Sequence, residues 1–492
     1  MEALNKALRS ELERAITKAR EVSEKAAGAS LHYLGVGEKE PFSHLTEKEK
    51  ELRESLRIHG RQLGDTVRQG IQSTEILTEE IAYEHWHRML FSRFLAENSL
   101  LMYPEISPPI SITLEECEEL AKEKGARNGW ELASRYAAEM LPQIFRIDSP
   151  IFALEFSVEY KIELEKILSS LNAEVFFASD SLGWVYQFWQ SKRKDEINKS
   201  EEKIGSRELP PVTQLFTEPY MVSFLLDNSL GAWWARKRLT SHDLESAESE
   251  VELREKASLK GVPFEYLRFV KDEKGFSLPN PYQNWPESLQ NFSVLDPCSG
   301  SGHFLVAVFL YLVPMRMELE NLSESEAVDR VLRENIHGLD IDRRVTEIAA
   351  FSLAFTAWKY PNAGGYRKLP ELQIACTGLS VGGDVKSWVK LAGKDQTLKL
   401  VMEQLYYQFR ESGVLGSLID PLRSMNKGEL FEIASEKVQP LLETLLSTEK
   451  DRELVETGVV ASGLSKAAFL LSRKYNWVLT NVPYLIGAIK VY

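Results

Sequence analysis

The stretch that decides the fold reads Val294-Leu295-Asp296-Pro297-Cys298-Ser299-Gly300-Ser301-Gly302-His303-Phe304. It combines an apolar strand ending in an acid, a glycine-rich turn, and an apolar run over residues 304–312 that is typical of a buried helix. Glycines let the backbone approach a ligand closely, because any Cβ there would collide with it. The carboxylate of Asp296, at the carboxyl end of the strand, can bind a cationic group. The stretch therefore predicts the first strand of an α/β domain and one wall of a ligand site.

Glycine-rich turns also bind dinucleotides and nucleoside triphosphates, and some are purely structural. A third phosphate-binding glycine is missing here, because Phe304 and Leu305 occupy that region, and the Walker lysine is absent. Both absences argue against NAD and ATP as ligands.

A second strand that ends in acids is predicted in Ile336-His337-Gly338-Leu339-Asp340-Ile341-Asp342. A helical pattern over residues 343–359 follows it directly. In doubly wound folds, an acid at the end of the second strand binds the ribose hydroxyls of a nucleoside ligand. Asp340 is the candidate for this role, whereas Asp342 is equally well interpreted as the N-cap of the helix.

The third signal is Trp477-Val478-Leu479-Thr480-Asn481-Val482-Pro483-Tyr484, in which a strand ends in a planar amide and an aromatic ring. The amide oxygen and a backbone carbonyl can accept the two N–H bonds of an amine on a flat ring, while tyrosine stacks on the ring face. Such a tetrapeptide alone is commonly an ordinary turn. Its place after a third strand-like segment, residues 371–377, and at the end of a fourth strand favours a binding site.

The chain before these motifs is predicted to be mainly helical. Leu4, Leu8 and Leu12 recur one helical turn apart, which is an amphipathic pattern. Helical patterns continue through residues 1–98 and at residues 113–124, 129–140 and 159–171, and charged residues 243–260 read as a solvated helix. We predict a helical N-terminal region (1–205), a cover segment and proline-rich connector (206–290), and the first part of the α/β domain (291–492) with a helical insertion at about 381–470.

Bulk composition limits the class of protein. The 492 residues are 43% hydrophobic and 10% aromatic, as expected of a folded chain of several domains. The three cysteines, Cys117, Cys298 and Cys376, have no paired spacing and no histidine cluster nearby, so we expect a reducing cytoplasm, no metal site and no disulfide framework. No apolar run approaches the length of a membrane span. The net charge of -14 argues against a surface that binds nucleic acid throughout, but leaves room for a local basic groove.

Taken in order, the three signals resemble the motifs of S-adenosyl-L-methionine-dependent amino-methyltransferases. The fold implied is α/β, with an incomplete Rossmann-like methyltransferase sheet after a large, mainly α-helical region. The glycine turn is similar to the cofactor loop of that family, Asp340 to its ribose-binding acid, and Asn481-Val482-Pro483-Tyr484 to its Asn-Pro-Pro-Tyr catalytic motif. The resemblance implies the following cofactor-binding residues: Asp296, Pro297, Gly300, Ser301, Gly302, Phe304 and Asp340.

The sequence departs from the family pattern at two places. Val482 replaces a proline, but its backbone carbonyl remains available. The family's third strand often supplies an acid for the cofactor adenine, and Thr377, Gly378 and Leu379 offer none.

A further stretch, Leu209-Pro210-Pro211-Val212-Thr213-Gln214-Leu215-Phe216-Thr217-Glu218-Pro219-Tyr220, resembles the segment that covers the methionine end of the cofactor. This resemblance implies that Thr217 also binds the cofactor. A cover segment first and a catalytic motif last is similar to the gamma arrangement of DNA adenine-N6 methyltransferases. The helical N-terminus and residues 180–189 resemble the PglX type of phage-defence methylases found in BREX and DISARM systems.

The resemblance implies methyl transfer to the adenine amino group of double-stranded DNA, as part of restriction-modification or antiviral defence. The target base would be flipped into the pocket, where Asn481 and the Val482 carbonyl hold the amine and Tyr484 stacks on the ring. Two basic runs are candidate phosphate contacts or else solvated helix ends: Lys192-Arg193-Lys194 and Arg236-Lys237-Arg238.

Few residues follow the catalytic motif, only 485–492. A methyltransferase sheet needs further strands, and a sequence-reading methylase needs a recognition domain. We therefore expect a truncated or split product that depends on a C-terminal companion polypeptide and acts with other defence proteins. Two alternatives remain open: a methyltransferase that acts on a protein glutamine or an RNA base, and a non-catalytic remnant that binds cofactor or only partner proteins.

Overall fold

The structure is a computed structural model of the chain. It describes residues 3–142, 144–146, 149–178, 180–200, 204–205, 208–213, 217–278, 285–422, 438–446, 448–449 and 451–482. The protein is α/β: helices predominate, and a small parallel sheet lies in the second half of the chain.

Within the described residues, four short parallel strands form this central sheet, and six other short strands pair in hairpins before it. The hairpins are β1 (Val67–Arg68) with β2 (Ile71–Gln72), β3 (Met102–Tyr103) with β4 (Ile110–Ser111), and β5 (Val270–Asp272) with β6 (Gly275–Ser277). The sheet strands are β7 (Val294–Asp296), β8 (Ile336–Asp340), β9 (Gln373–Cys376) and β10 (Trp477–Val478). Their order is β10-β7-β8-β9, so β10 is an edge strand of the described sheet although it comes last in the chain.

Both faces of the sheet are buried, and alternate side chains enter two different cores. One side contributes Val294, Ile336 and Ile374 to a large core that also contains the N-terminal helices. The opposite side contributes Leu295, Leu339 and Ala375 to a second core with the helices that precede β10. Successive side chains of a strand point to opposite faces, and this explains why the strands read as continuous apolar runs.

The N-terminal helices lie close to their predicted positions. The structure has helices Lys6–Tyr33, Glu47–Leu63, Glu75–Glu97, Leu114–Ala121, Gly129–Met140, Pro150–Ala153, Val158–Ser169, Glu174–Phe177 and Ser181–Ser200. Polar N-caps define several starts: Thr46 and Thr113 form capping boxes, and Asn128 accepts a hydrogen bond from the Glu131 amide.

One part of the N-terminal prediction is wrong, because residues 67–72 form the β1–β2 hairpin and not a helix. The turn between the strands contains Gln69 at φ +55° and Gly70 at φ +88°. Two successive residues with positive φ fit a tight hairpin turn whose twist matches that of the strands. The leucine and glutamate content of this region obscured that signal.

The remaining helices surround the sheet. Before it come Leu209–Thr213, Pro219–Leu226, Ala232–Arg238, Ser241–Ser246 and Glu250–Ala257. Between β7 and β9 come His303–Glu320, Glu324–Arg330 and Arg343–Lys359. Between β9 and β10 come Val385–Leu391, Gln396–Gln408, Ser412–Leu415, residues 438–446 and Arg452–Ser472.

The N-terminal helices pack directly on the helix that follows β8. The Tyr83 hydroxyl donates to the backbone carbonyl of Arg344 at 2.8 Å, and the ring of Phe91 stacks on Phe351 with centroids 4.2 Å apart. Stacked aromatic pairs of this kind stabilise a core beyond the area they bury. The helical region therefore supports the sheet and shares its core.

Among the described residues, one helix is long and apolar enough to cross a membrane by length and composition alone, Arg452–Ser472. Half of its most apolar stretch is buried inside the protein. Leu464, Ala467 and Ala468 of this helix are fully buried in the second core.

Candidate active site

The first and third sequence signals meet at one edge of the sheet. Strand β10 pairs in parallel with β7, with Trp477 opposite Val294 and Val478 opposite Leu295. The Leu479 amide then donates to the Leu295 carbonyl at 2.9 Å. Because the carboxyl ends of parallel strands meet at the same edge, the residues after Leu479 lie beside Asp296 and the glycine turn.

A reciprocal set of hydrogen bonds fixes this register at the other end of β10. The Asn476 side-chain oxygen accepts from the Ser293 amide at 2.8 Å and from the Ser293 hydroxyl at 3.1 Å. The Asn476 and Trp477 amides donate back to the Ser293 carbonyl at 3.0 and 3.1 Å. Since a slip by one residue would turn every side chain of β10 to the other face, this contact fixes which face each side chain of β10 occupies.

The glycine turn adopts a backbone conformation that other residues rarely take. Gly300 has φ +51° and Gly302 has φ +81°. A Cβ added to Gly302 would lie 2.9 Å from the Cα of Ala349, in the helix after β8. Gly302 therefore permits close packing between the turn and that helix. This packing is enough to explain why position 302 is a glycine, without a ligand.

Asp296 is a buried carboxylate with one unsatisfied oxygen. Its side chain is 1% exposed, and Oδ1 accepts from the Cys298 amide at 3.1 Å. Within the described residues, Oδ2 has no hydrogen-bond partner. The Thr480 hydroxyl lies near enough to stabilise the charged form, although its geometry is not that of a hydrogen bond. Burial raises the pKa of Asp296 to about 7, and the neighbouring charge of Asp340 adds to this effect.

Asp340 links the second strand to the glycine turn. Its Oδ2 accepts from the Gly300 amide at 2.8 Å and its Oδ1 from the Asp342 amide at 3.0 Å. Burial raises the pKa of Asp340 to about 6 against the opposing effect of these two donors. Each carboxylate oxygen can accept a further hydrogen bond, so this structural contact leaves room for a ligand.

Asp342 is the N-cap of the helix Arg343–Lys359. Its side chain accepts from the Arg344 amide at 3.0 Å and from the Tyr186 hydroxyl. The alternative interpretation of this residue as a cap is therefore confirmed, and its carboxylate is occupied by contacts within the protein.

The other residues expected in the cofactor loop differ in their surroundings. The side chains of Ser301 and Phe304 are buried, at 7% and 8% exposure, and Phe304 belongs to the large core. Pro297 is partly buried, and its carbonyl accepts from the Ser417 hydroxyl at 2.5 Å. Ser417 comes from the helical insertion, a contact that the sequence did not predict.

The cover segment reaches the third signal across 264 residues of sequence. The Asn481 amide donates from Nδ2 to the Thr217 hydroxyl at 3.2 Å. Asn481 is exposed, and Val482 is 64% exposed. Pro483 and Tyr484, the other two residues of the expected catalytic motif, lie outside the described residues.

A large cavity of about 910 Å³ adjoins the same edge at the ends of β8 and β9. Residues from the ends of the strands, the N-terminal helices, the cover segment and the helical insertion line it together, among them Arg20, Gln190, Pro211, Asp342, Gly378 and Arg410. Neither Asp296 nor Asn481 lies in its wall. The cavity was not predicted, because its walls come from segments that are distant in the sequence.

Several basic side chains singled out as candidate DNA contacts form ion pairs within the protein. Lys192 pairs with Glu21 at 3.2 Å and Arg193 with Glu196 at 3.7 Å. In the second run, Lys237 pairs with Glu287 and Arg238 with Glu318, while Arg236 donates to the Leu278 carbonyl at 3.1 Å. These contacts favour the interpretation as solvated helix ends.

The fold and the site define an α/β protein with a candidate small-molecule site at the carboxyl ends of its parallel strands, where buried acids adjoin an exposed asparagine. The chain is 26% identical over 355 residues to the adenine-specific methyltransferase PglX of Lacticaseibacillus casei (strain Zhang), covering 70% of this chain and 28% of that protein. It is also 25% identical over 469 residues to the adenine-specific methyltransferase BrxX of Escherichia coli O9:H4 (strain HS), covering 85% of this chain and 36% of that protein. No family model matches. The chain is thus similar to PglX and BrxX over most of its own length, and the matched part is about a third of theirs.

Proposed function

We propose that the chain carries the S-adenosylmethionine site and the acceptor site of a DNA adenine-N6 methyltransferase of phage defence. The observation that carries this proposal is the pairing of β10 with β7, after which Asn481 directly follows Thr480, the residue whose hydroxyl lies near the Asp296 carboxylate. A donor and an acceptor amine can react only if one pocket holds both. The names of the two relatives support adenine as the acceptor.

The residues at the sheet edge fit S-adenosylmethionine. The unsatisfied Oδ2 of Asp296 suits a cationic group such as the ammonium of the methionine moiety, because a buried carboxylate without a partner gains most from a positive charge. Asp340 is available for the ribose hydroxyls, and Gly300 offers backbone without a side chain. When bound, the cofactor supplies a methyl group on a sulfonium, which is electrophilic.

On the acceptor side, we assign Asn481 the role of holding the exocyclic amine. Its amide oxygen and the backbone carbonyl of Val482 would accept the two N–H bonds, which leaves the nitrogen lone pair directed at the methyl group. Val482 exposes its side chain, as expected for a residue that serves through its backbone. Pro483 and Tyr484 complete the proposed motif. Catalysis in this proposal comes from positioning and electrostatics, and uses no covalent nucleophile.

The sheet in this proposal is the first part of a Rossmann-like methyltransferase domain, residues 291–492, with a helical insertion at about 381–470. Residues 1–205 form the helical region that supports it, and residues 206–290 contain the cover segment. Double-stranded DNA is the proposed substrate, and other proteins of the defence system are proposed partners. The parallel order β10-β7-β8-β9 supports the sheet assignment.

Calorimetric titration of the purified chain with S-adenosylmethionine tests this proposal. We expect saturable binding, and its loss in Asp296→Ala, whereas Asp272→Ala in the exposed β5–β6 hairpin keeps it. Adenine methylation of DNA by the polypeptide that contains this chain should require Asn481. Equal affinity in wild type and Asp296→Ala would refute the cofactor assignment, and methylation by Asn481→Ala would refute the acceptor assignment.

A further inference from the structure

Resting on this proposed function, we propose that Thr217 is a positioning residue that orients the amide of Asn481, and that the cover segment thereby acts on the acceptor side of the site. The hydrogen bond from Asn481 Nδ2 to Thr217 Oγ1 is 3.2 Å long. The resemblance to other methyltransferases implies instead that Thr217 contacts the cofactor. The two roles make different predictions for a variant that lacks the hydroxyl.

Asn481 needs such a contact because packing does not hold its side chain. The residue is exposed, and rotation of an asparagine amide about its last torsion is broad. An amide that turns freely presents its oxygen and its NH₂ group in many directions, and only the oxygen can accept a bond from an amine. When Nδ2 donates to Thr217, the amide plane is fixed and Oδ1 points away from Thr217, where it is available to the acceptor.

Thr217 is itself held by a well-anchored element. It lies one residue before Glu218, the N-cap position of the helix Pro219–Leu226. Val222 and Leu226 of that helix are buried in the large core, at 2% and 0% exposure. Proline at the first helical position fixes the chain direction where the helix begins. The hydroxyl is therefore presented from a position that the core determines.

The other end of the contact, at Asn481, is anchored by the pairing of β10 with the sheet. Asn476 and Ser293 fix the strand, and the Leu479 amide bonds to Leu295, so the backbone is held in the sheet up to two residues before Asn481. One end of the Asn481–Thr217 contact thus depends on the sheet and the other on the cover segment. A contact between two independently anchored elements determines orientation better than one between two mobile loops.

Two substitutions separate the roles. Thr217→Val keeps the shape of the side chain and removes the hydroxyl, whereas Thr217→Ser keeps the hydroxyl. If Thr217 positions Asn481, Thr217→Val removes no contact to the cofactor, so the calorimetric Kd for S-adenosylmethionine stays within about twofold of wild type. A lost neutral hydrogen bond to the cofactor would instead weaken binding by roughly two- to tenfold. It lowers the methylation kcat by about tenfold, and Thr217→Ser restores most of this loss. A Kd that weakens as much as kcat falls would overturn the positioning role.

A second measurement needs no turnover. In a sample labelled with ¹⁵N-asparagine, the side-chain NH₂ resonances of Asn481 are those missing from the spectrum of Asn481→Ala. We expect Thr217→Val to shift them and Thr217→Ser to shift them less. The control Thr78→Val loses a hydroxyl bonded within the helix Glu75–Glu97, to the Thr74 carbonyl at 2.6 Å, and should leave them in place.

Together, the binding and NMR measurements distinguish a failure of the proposed function from a failure of the positioning role. If the wild-type chain does not bind S-adenosylmethionine, the proposed function fails, but shifted resonances in Thr217→Val would still establish the contact. If the chain binds cofactor and the resonances do not move, the proposed function stands and the positioning role is refuted.

Discussion

The backbone N–H of Gly300 donates to the carboxylate of Asp340 at 2.8 Å, so the end of the second strand holds the turn that follows the first. A second amide, that of Asp342, donates to the other oxygen of the same carboxylate. The acid expected to bind a ribose therefore also shapes the glycine turn. Under the proposed function, ligand affinity and local stability would both depend on this one side chain.

Asp340→Ala should destabilise the protein as well as weaken cofactor binding. It leaves the buried Asp342 amide and the partly buried Gly300 amide without their acceptor, and the loss of an acceptor for a buried donor costs about 1–3 kcal/mol. We expect the free energy of unfolding in urea to fall by about 2–4 kcal/mol. The control Glu245→Ala removes an exposed carboxylate and should change it by less than about 0.5 kcal/mol. Unchanged stability in Asp340→Ala would show that the turn keeps its shape without this contact.

The pH dependence of cofactor binding should report the ionisation of Asp296. Its pKa is raised to about 7, so at pH 6 most molecules carry the neutral acid, which attracts an ammonium group poorly. We expect the affinity for S-adenosylmethionine to rise roughly tenfold between pH 6 and pH 8. Calorimetry of wild type and Asp296→Asn at both values tests this. A wild-type affinity that does not change with pH would contradict the assigned role.

The raised pKa of Asp296 affects the stability of the ligand-free protein in the opposite direction. Cofactor affinity should rise with pH, whereas the contribution of Asp296 to the unfolding free energy falls. The folded-state pKa of Asp296 lies above the value of about 3.9 in an unfolded chain, so the folded state binds the proton more tightly. The stabilising contribution is complete below that unfolded value and is lost as the pH rises through about 7. Asp296→Asn removes this loss, so between pH 4 and 7 its unfolding free energy should fall less with rising pH than that of wild type. An identical slope in both proteins would show that Asp296 titrates near its ordinary value.

Much of the sheet could be predicted from the sequence because its signals are local. An apolar run that ends in Asp296 or Asp340 marks a buried parallel strand and its carboxyl end within a few residues. The helix predicted at 129–140 has those bounds in the structure, where Asn128 caps its first turn through a local side-chain contact. Parallel topology then brings the strand ends together without further information.

The contacts that position the site are not local, and the sequence did not reveal them. Ser417 reaches Pro297 from the insertion, and Thr217 reaches Asn481 from the cover segment. Serine and threonine are frequent and have many ordinary roles, so neither pattern nor composition distinguishes these two. The cavity beside Asp342 was missed for the same reason, since its walls come from four separate parts of the chain: the N-terminal helices, the cover segment, the ends of β8 and β9, and the helical insertion.

Gly302 offers a test of why the turn needs glycine. Gly302→Ala places a Cβ 2.9 Å from the backbone of Ala349, at a position where φ is +81°. Gly364→Ala is the matched control, because Gly364 has φ +89° and nothing lies within 4 Å of its added Cβ. Both variants incur the cost of positive φ, about 1–2 kcal/mol, and only Gly302→Ala adds a clash worth about 1–3 kcal/mol. Equal losses of unfolding free energy would mean that the turn moves away from the helix at little cost.

The contact between Asn476 and Ser293 should govern how firmly β10 is held in the sheet. Asn476→Ala removes the acceptor of the Ser293 amide and hydroxyl, and we expect an overall loss of about 1–2 kcal/mol. Amide hydrogen exchange gives the sharper result, because the Leu479 amide bonds to Leu295 only while β10 is in register. Its exchange should accelerate several-fold more than that of the Thr377 amide, which bonds to Asp340 between β8 and β9 at 2.7 Å and serves as the internal control. If both amides accelerate equally, Asn476 stabilises the whole sheet, and the orientation of Asn481 must depend on the Thr217 side of the site.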